Sequence, residues 1–139
     1  MSLNVHIVAP DGEVFQGRAS RFRAPGVEGS FEVLTGHAPL LAAIDVGPLF
    51  VTTPEDQRIA FATSGGFVEV LDDEVTVVAE TAEPAEEIDV ERAKAAEQRA
   101  IEALEEEPEE APMDRETAEQ ALERARNRLR VAMAEHVHG

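Results

Sequence analysis

Six arginines in the C-terminal part of the chain have the spacing of residues on helix faces. Arg92 and Arg99 are seven residues apart, and the other four form two i,i+4 pairs, Arg124 with Arg128 and Arg126 with Arg130. Guanidinium groups form paired hydrogen bonds with phosphate and carboxylate, so this set could bind a phosphate-bearing ligand or an acidic loop of a partner. The alternative interpretation is ordinary ion pairing on a helix surface, for example Glu123 with Arg126, which contributes only ~0.3–0.5 kcal/mol.

Signatures of an enzyme are missing from the sequence. It contains no Gly-Lys-Ser/Thr phosphate loop, no Gly-x-Gly-x-x-Gly, no His-Glu-x-x-His and no Gly-x-Ser-x-Gly. The four histidines (His6, His37, His136 and His138) do not have metal-ligand spacing with carboxylates, and the absence of cysteine excludes disulfides and thiolate metal sites. We therefore expect no catalytic residue, no metal and no catalysis by this chain alone.

Acidic residues outnumber basic ones. The 139 residues include 29 Asp and Glu against 12 Lys and Arg, a net charge of −17. Such a charge disfavours nucleic acid and anionic lipid as partners. No apolar stretch approaches the ~20 residues that a membrane-spanning helix needs, and no signal peptide precedes Leu3. We therefore expect a chain that is monomeric when isolated, stays on the cytoplasmic side and inserts into no lipid.

The spacing of apolar residues changes near residue 84. Before that point they recur at every second position, as in Val75, Val77 and Ala79, and after it they recur at helical spacing, as at Ala93 and Ala100. The chain is therefore predicted to contain an all-β domain over residues 1–84 and a helical domain over residues 85–139. Many short strands separated by turn residues indicate an antiparallel sandwich or flattened barrel, with no helix before residue 85. The predicted strands cover residues 3–8, 14–24, 29–34, 48–53, 58–63, 67–71 and 74–80.

Two helices that form a hairpin are predicted in the second domain. The first runs from about residue 90 to 106 behind Asp89, and the second begins near Arg115 behind Asp114, since both aspartates can accept hydrogen bonds from the free amides of a first turn. Between the helices, residues 105–112 form an acidic, proline-broken linker that we expect to be solvated and mobile. The apolar stripes comprise Ala93, Ala96, Ala100 and Leu104 on the first helix, and Ala118, Ala121, Leu122, Ala125, Leu129, Ala132 and Met133 on the second.

Four motifs occur in order along the chain. They are Pro-Asp-Gly-Glu-Val-Phe at residues 10–15, Gly-His-Ala-Pro-Leu-Leu at 36–41, Ser-Gly-Gly-Phe-Val-Glu-Val at 64–70 and Ile-Asp-Val-Glu-Arg-Ala at 88–93. In this order and spacing the sequence resembles the epsilon subunit of bacterial rotary ATP synthases over nearly its whole length. The resemblance implies an all-β sandwich of about ten strands followed by an antiparallel two-helix hairpin. It also implies a non-catalytic rotor subunit of the central stalk, which couples the gamma subunit to the c-ring of the proton-translocating F-type enzyme.

The resemblance assigns partners to both domains. Residues 1–84 would bind gamma and the c-ring, through an interface that includes Ser30, Gly36, His37, Ala38, Pro39 and Leu40. Residues 85–139 would be a movable regulatory hairpin that inhibits ATP hydrolysis and reaches the catalytic alpha and beta subunits through Arg124, Arg126, Arg128 and Arg130. The chain would be a peripheral protein on the cytoplasmic face of the bacterial cell membrane. From the residues alone, the alternative interpretation of the loop at 36–40 is a tight loop closed by a buried histidine hydrogen bond, and this alternative is compatible with a ring contact.

The motif at residues 88–93 also implies a regulatory ATP site, although no cofactor is required. In some bacterial members of the family this motif contributes to ATP binding, and the corresponding residues here are Glu83, Ile88, Asp89, Arg92, Ala93, Arg99, Arg124 and Arg128. The carboxylates could accept hydrogen bonds from the adenine, and the arginines could neutralise phosphate. Pro84 departs from the arginine usual at its position. The alternative is structural: Asp89 caps the helix and Arg92 pairs with it.

A protein of a different class is the main alternative. A free-standing acidic β-sandwich adaptor could use the helical hairpin to bind another protein. A small nucleotide hydrolase is a third and weaker interpretation, because the enzyme signatures are missing. Co-purification with gamma and the catalytic subunits would separate the first two, and turnover by the pure chain would support the third.

Overall fold

A computed structural model describes residues 2–106 and 114–138 of the chain, with side chains up to Met133. It contains two compact units, Met1–Ala85 and Glu86–Gly139. The first is built from strands and the second from helices. No helix in the described ranges is long and apolar enough to cross a membrane. Most of the predicted linker, residues 107–112, lies outside the described residues.

Ten strands occur among residues 2–85, which confirms the predicted all-β sandwich of about ten strands. Strand alternation places Leu3, Val5 and Ile7 of the first strand in the core, where all three are fully buried. No α-helix occurs among residues 2–84, and a single 3-10 turn follows at Ala85–Glu87. The strands are β1 Leu3–Ala9, β2 Gly12–Ala19, β3 Arg21–Gly26, β4 Gly29–Leu34, β5 Leu40–Ile44, β6 Gly47–Thr52, β7 Arg58–Thr63, β8 Gly66–Leu71, β9 Glu74–Ala79 and β10 Ala82–Pro84.

The strands are joined in one hydrogen-bonded path. Its order is β10-β7-β6-β3-β5-β8-β9-β1-β2, and β4 pairs with β3 beside this path. Among the described strands every pair is antiparallel except β1 with β9, which run parallel over residues 4–8 and 74–78. The sandwich therefore departs from the predicted antiparallel arrangement at one pair. Because β1 and β9 are far apart in sequence, no tight turn forces them to run in opposite directions.

The predicted strand over residues 14–24 is two strands, β2 and β3, separated at Ser20. The Ser20 amide donates to Thr52 O at 2.7 Å, and its hydroxyl lies 3.3 Å from both Thr52 O and Thr53 O. These bonds move the chain from pairing with β1 to pairing with β6. The sequence has no glycine or proline at this point, so turn signals do not show the break. The predicted strands also omit β5 and β10.

Large apolar side chains fill the core of this unit. Phe22 and Leu49 are fully buried and Phe61 almost so. The ring of Phe15 meets that of Phe61 edge-on, with centroids 5.7 Å apart. A buried side chain of this size contributes about 3–5 kcal/mol relative to alanine. The strands of the first unit therefore have a core of their own.

The second unit contains two helices, α1 Val90–Glu105 and α2 Arg115–His138, among its described residues. The first packs along the second, as the predicted hairpin requires. Small side chains allow two helices to approach closely but bury little apolar area. The buried alanines are Ala93, Ala100 and Ala103 of α1 and Ala118, Ala125 and Ala132 of α2.

The predicted stripe on α2 is wrong at Met133. Residues seven apart stay on nearly one line of a helix, which is why Ala118, Ala125 and Ala132 are all buried. Met133 lies about 100° further round the helix than Ala132, and 61% of its surface is exposed. Two buried residues, Asn127 and Val131, are missing from the stripe. The remaining predicted apolar residues are half-buried, namely Ala96, Leu104, Ala121, Leu122 and Leu129.

Aspartates begin both helices, as predicted. Asp89 accepts a hydrogen bond from Arg92 N at 3.0 Å, and Asp114 accepts one from Thr117 N at 2.7 Å. The backbone hydrogen bond from Thr117, followed by its side-chain hydrogen bond, holds the pKa of Asp114 below the ordinary 3.8 and outweighs the opposite effect of desolvation. The charged form of Asp114 is therefore favoured in the folded chain relative to the unfolded chain.

Replacing Asp114 by alanine should destabilise α2, because the Thr117 amide loses its acceptor. Since the folded pKa lies below the unfolded pKa, this stabilisation is complete above the unfolded pKa and is lost as the pH falls through the folded pKa. Denaturant unfolding followed by helical circular dichroism should show the difference between the parent and Asp114→Ala shrinking from pH 7 to a pH below the folded pKa. Asp114→Asn keeps an acceptor that cannot titrate. A parent–alanine difference that is the same at both pH values would contradict the capping assignment.

Candidate functional site

The predicted interface loop follows β4 and is anchored to a neighbouring turn. Gly36, at φ 80°, donates its amide to Asp73 Oδ1 at 2.8 Å. Asp72 and Asp73 form the two-residue turn between β8 and β9, where both have positive φ. The predicted site omits Asp73, whose signal in the sequence is the Asp-Asp pair between two strands. The shape of the loop therefore depends on a side chain from a distant turn.

His37 closes the loop locally. Its amide donates to Leu34 O at 3.2 Å, and its Nδ1 lies 2.7 Å from Ala38 O. Because a carbonyl oxygen can only accept, Nδ1 carries the proton. The ring is half-exposed, so the prediction of a buried histidine hydrogen bond is wrong. The long-range contact that fixes the loop comes from Asp73 instead.

The other residues of the predicted interface occupy two places. Ala38 and Pro39 are exposed in the loop, and Leu40 is half-buried where it begins β5. Ser30 is exposed near the start of β4, four residues before that strand ends at Leu34. At about 3.3 Å per strand residue, Ser30 is about 13 Å from Leu34, the end of the strand that leads into the loop. The structure thus brings residues 36–40 together and places Ser30 at the other end of β4.

Three apolar side chains form an exposed strip on the outer face of β5, β8 and β9. Leu41, Phe67 and Val78, which we call the outer strip, are 72%, 57% and 54% exposed. Phe67 lies directly opposite Val78 in the ladder of β8 and β9, and Leu41 of β5 is its diagonal neighbour. Glu69 lies directly opposite Leu41 on the same face, so the outer strip has a charged neighbour.

The sequence prediction missed the outer strip. Its signal is the continuation of apolar residues where alternation would require a polar one, at Leu40-Leu41 and at Val77-Val78-Ala79. The inner face of β9 packs in the core through Val75 and Val77. On its outer face Val78 is the apolar residue that breaks the alternation, beside Glu74 and Thr76.

An ion pair joins the two helices of the hairpin. Arg126 Nε lies 3.2 Å from Glu97 Oε2. Among the described side chains, Arg126 therefore pairs across the helices with Glu97 rather than within α2 with Glu123. Glu97 lies near the middle of α1 and Arg126 near the middle of α2, which is compatible with an antiparallel hairpin. Arg99 is two residues after Glu97, and Arg124 is two residues before Arg126. In an antiparallel hairpin these two arginines therefore lie at the same height along the helix pair.

The same ion pair divides the arginines of α2 between two edges of the hairpin. With about 100° per residue, Arg124 and Arg128 lie about 120–160° round the helix from Arg126 and Arg130. Since Arg126 occupies the edge that carries Glu97, Arg124 and Arg128 occupy the opposite one. The four arginines predicted to contact the catalytic subunits are therefore split between the two edges.

The arginines of α1 lie on the edge opposite Glu97. Arg92 and Arg99 are both about 150° round α1 from Glu97. They therefore lie on the same edge of the hairpin as Arg124 and Arg128 of α2. All of these side chains are exposed except that of Arg128, which is half-exposed. We call this set the arginine edge; it comprises Arg92, Arg99, Arg124 and Arg128.

The other residues of the predicted ATP site have structural positions of their own. Ile88 and Ala93 are buried, and Asp89 caps α1 through the backbone of Arg92. The structural alternative predicted that Asp89 caps α1 and also pairs with Arg92. The cap is present, but within residues 2–106 no ion pair joins the side chains of Asp89 and Arg92. Glu83 lies on β10 in the first unit, opposite Ala62 of β7.

Two family models match consecutive parts of the chain. The beta-sandwich domain of the ATP synthase delta/epsilon chain matches residues 2–85, and the long alpha-helix domain of the same chain matches residues 86–133. The chain belongs to the delta/epsilon chain family of ATP synthases. Membership confirms the resemblance to the epsilon subunit that the four sequence motifs indicate.

Similar members of the delta/epsilon family carry the name ATP synthase epsilon chain. The one from Salinibacter ruber is 58% identical over 112 residues, 75% of each chain. The one from Halalkalibacterium halodurans is 42% identical over 131 residues, 94% of this chain and 97% of the relative.

Solved ATP synthase structures share the fold of this delta/epsilon chain. A chain in the cryo-EM structure of the Euglena gracilis mitochondrial ATP synthase, OSCP/F1/c-ring, matches with a TM-score of 0.79 at 24% identity, over 99% of this chain and 82% of that one. A chain in the central stalk/c-ring structure of the Tetrahymena thermophila mitochondrial enzyme matches with a TM-score of 0.57 at 17% identity, over 97% and 96%.

Replacing Asp73 by alanine should loosen the interface loop, because the Gly36 amide loses its charged acceptor. The bond is exposed, so we expect a cost of ~1 kcal/mol, about a fivefold acceleration of Gly36 amide exchange. Asp72→Ala is the matched control, since it places alanine at the adjacent positive-φ position and leaves the bond to Gly36 in place. The exchange rate of the Gly36 amide in both variants is measured by NMR. Equal acceleration in both variants would assign the effect to the turn backbone alone.

Proposed function

We propose that this chain is a non-catalytic rotor subunit of the central stalk in a bacterial, proton-translocating F-type ATP synthase, where it joins the gamma subunit to the c-ring. Family membership supports an ATP synthase subunit. The names of the relatives and the assemblies in which the fold neighbours occur support the central stalk as its place. The single observation that carries the proposal is the outer strip, because a rotor subunit without catalysis acts only through surfaces that bind its neighbours.

The outer strip is proposed as the gamma-binding surface. Phe67 and Val78 lie on β8 and β9, whose backbone groups pair with a neighbouring strand on both sides, so a partner would cover them through side-chain contacts. Covering the exposed parts of Leu41, Phe67 and Val78 would contribute ~1 kcal/mol for each side chain. The sheet holds the three in fixed register, which lowers the entropic cost of binding.

The loop at residues 36–40 is proposed as the contact with the c-ring. Its exposed tip, Ala38 and Pro39, is held by the Gly36–Asp73 bond. Two further exposed leucines, Leu34 and Leu71, lie at the ends of the strands that flank the loop and the Asp-Asp turn. A rigid loop with apolar flanks can transmit torque, since it yields little under load. Ser30, at the other end of β4, would contact a different part of the rotor.

Phe67→Glu should abolish most binding to gamma without unfolding the chain. Phe67 is exposed, so the charge is tolerated in the free protein, whereas in the complex it would be buried without a partner. We expect a loss of at least ~2 kcal/mol, about 30-fold in affinity. Gln57→Glu adds the same charge in the exposed turn between β6 and β7 and is the control. The measurement is calorimetry of binding to purified gamma. If Phe67→Glu binds gamma as tightly as the parent does, the outer strip is not the gamma-binding surface.

The helical hairpin is proposed as an inhibitor of ATP hydrolysis that acts by changing position. Its seam is made largely of alanine, and each buried methyl group contributes only ~0.8 kcal/mol. Such a seam can open at low cost. The arginines of α2 would meet acidic loops of the catalytic alpha and beta subunits when the hairpin extends. ATP is proposed as a regulatory ligand of the arginine edge that favours the folded hairpin.

Two double variants separate ATP binding from inhibition, because the arginines of α2 lie on two edges. Arg124→Gln with Arg128→Gln should remove both the stabilisation of the free chain by ATP, ~2.7 kcal/mol at 100 times the dissociation constant, and part of the inhibition. Arg126→Gln with Arg130→Gln should reduce inhibition and leave the effect of ATP unchanged. Thermal melts with ATP and hydrolysis by the assembled enzyme are the two measurements. ATP shifts lost equally in both variants would contradict a ligand site on one edge.

The remaining parts of the proposal follow from the rotor role. The chain would carry no active site, since catalysis belongs to its partner subunits. It would be a peripheral protein on the cytoplasmic face of the membrane, held there by protein contacts. A free-standing adaptor could use the same outer strip and hairpin, but it would not bind gamma, so the calorimetry on gamma also separates that alternative.

A further inference from the structure

Three arginines meet in a groove on the outer face of β3, β4, β6 and β7. Arg21 and Arg23 are two residues apart on β3, so their side chains project from the same face, opposite to that of buried Phe22. The pairing of neighbouring strands places Arg23 between Glu32 and Phe50. It also places Thr52 between Arg21 and Arg58. The groove has a volume of about 400 Å³ and is lined by Arg21, Arg23, Glu32, Phe50, Thr52 and Arg58.

The groove is positively charged although the chain is acidic. Arg21 Nη1 lies 3.6 Å from Glu32 Oε1. Glu32 is directly opposite Arg23 in register, yet neither Arg23 nor Arg58 forms an ion pair with a carboxylate of the described residues. Three guanidinium groups against one carboxylate leave two positive charges facing the groove. Since the chain has 29 acidic residues, two arginines that pair with none of those described are available to an external anion.

Arg58 is oriented before any ligand arrives. Its Cζ lies 3.8 Å from the centroid of the Phe50 ring, in stacking geometry. Stacking restricts the rotamers of Arg58 and leaves the N–H groups at the edge of the guanidinium plane free to donate. Thr52 is buried between the flanking arginines. A fixed guanidinium above a rigid sheet loses little entropy when it binds an anion.

We propose that this groove binds a dianionic phosphoryl group, supplied by inorganic phosphate or by the phosphate of a nucleotide. A phosphoryl monoester carries about −1.5 to −2 charges at pH 7 and accepts the paired hydrogen bonds that guanidinium groups donate. That charge matches the two uncompensated charges of the groove. The volume is in the range of small-molecule sites. The inference is independent of the rotor function, and the groove shares no residue with the arginine edge of the hairpin.

Titration of the full, 15N-labelled chain with sodium phosphate tests the proposal, with sodium chloride of equal ionic strength as the reference. At about 0.15 M salt the Debye length is about 8 Å, so the distant acidic residues are screened while the groove still attracts its ligand. We expect saturable shifts at the amides of Arg23, Phe50 and Arg58. Arg23→Gln and Arg58→Gln should each weaken binding about tenfold. Arg18→Gln, which removes an exposed arginine of β2 outside the groove, should leave the affinity unchanged.

Two further titrations distinguish the sources of the phosphoryl group. Equal affinities for phosphate and adenosine monophosphate, with no binding of adenosine, would identify the phosphoryl group alone as the ligand. Tighter binding of adenosine monophosphate than of phosphate would identify a nucleotide. Either result supports the site. The proposal is overturned if no saturable shift occurs at the groove, if the shifts spread evenly over the charged surface, or if both groove variants bind as the parent does.

Discussion

The parallel pairing of β1 with β9 is the contact on which the first unit depends. It joins the hairpin of β1 and β2 to the rest of the sheet, because β2 ends the hydrogen-bonded path. The register sets Val5 beside Val75 and Ile7 beside Val77, and all four are buried. A slip of one residue would turn these side chains outward, so burial fixes the register. Val78 must then point away from the core, and the outer strip is a direct result.

The sequence predicted those parts of the fold that depend on local pattern. The change of apolar spacing near residue 84 separates strands from helices, and Asp89 and Asp114 mark the starts of both helices through a bond to the chain three residues ahead. Elements without a local signal were missed. β5 reads Leu-Leu-Ala-Ala-Ile, a run with no alternation, and the break at Ser20 is made by bonds to β6 rather than by a turn residue.

The candidate sites depend on which residues of different strands or helices become neighbours, and a single sequence does not specify these neighbours. Residues 36–40 are recognisable as a motif, but the bond from Gly36 to Asp73 requires β4 and the turn before β9 to be neighbours. The groove combines side chains of four strands, which no spacing along the chain brings together. On the helices, spacing identified the arginine pairs, whereas the Glu97–Arg126 contact was needed to assign each pair to an edge.

β1 is synthesised well before β9, so its parallel pairing cannot form until most of the first unit has been made. About 65 residues separate the end of β1 at Ala9 from the start of β9 at Glu74, so a ribosome adding about 5–20 residues per second needs about 3–13 s to supply the partner strand. Until then β1 and β2 can form only an isolated hairpin, which is marginally stable in water. Leu3, Val5 and Ile7 stay uncovered in that interval, beside an unpaired strand edge. An unpaired edge of this kind is a site of aggregation, so β1 is exposed to that hazard until β9 has been made.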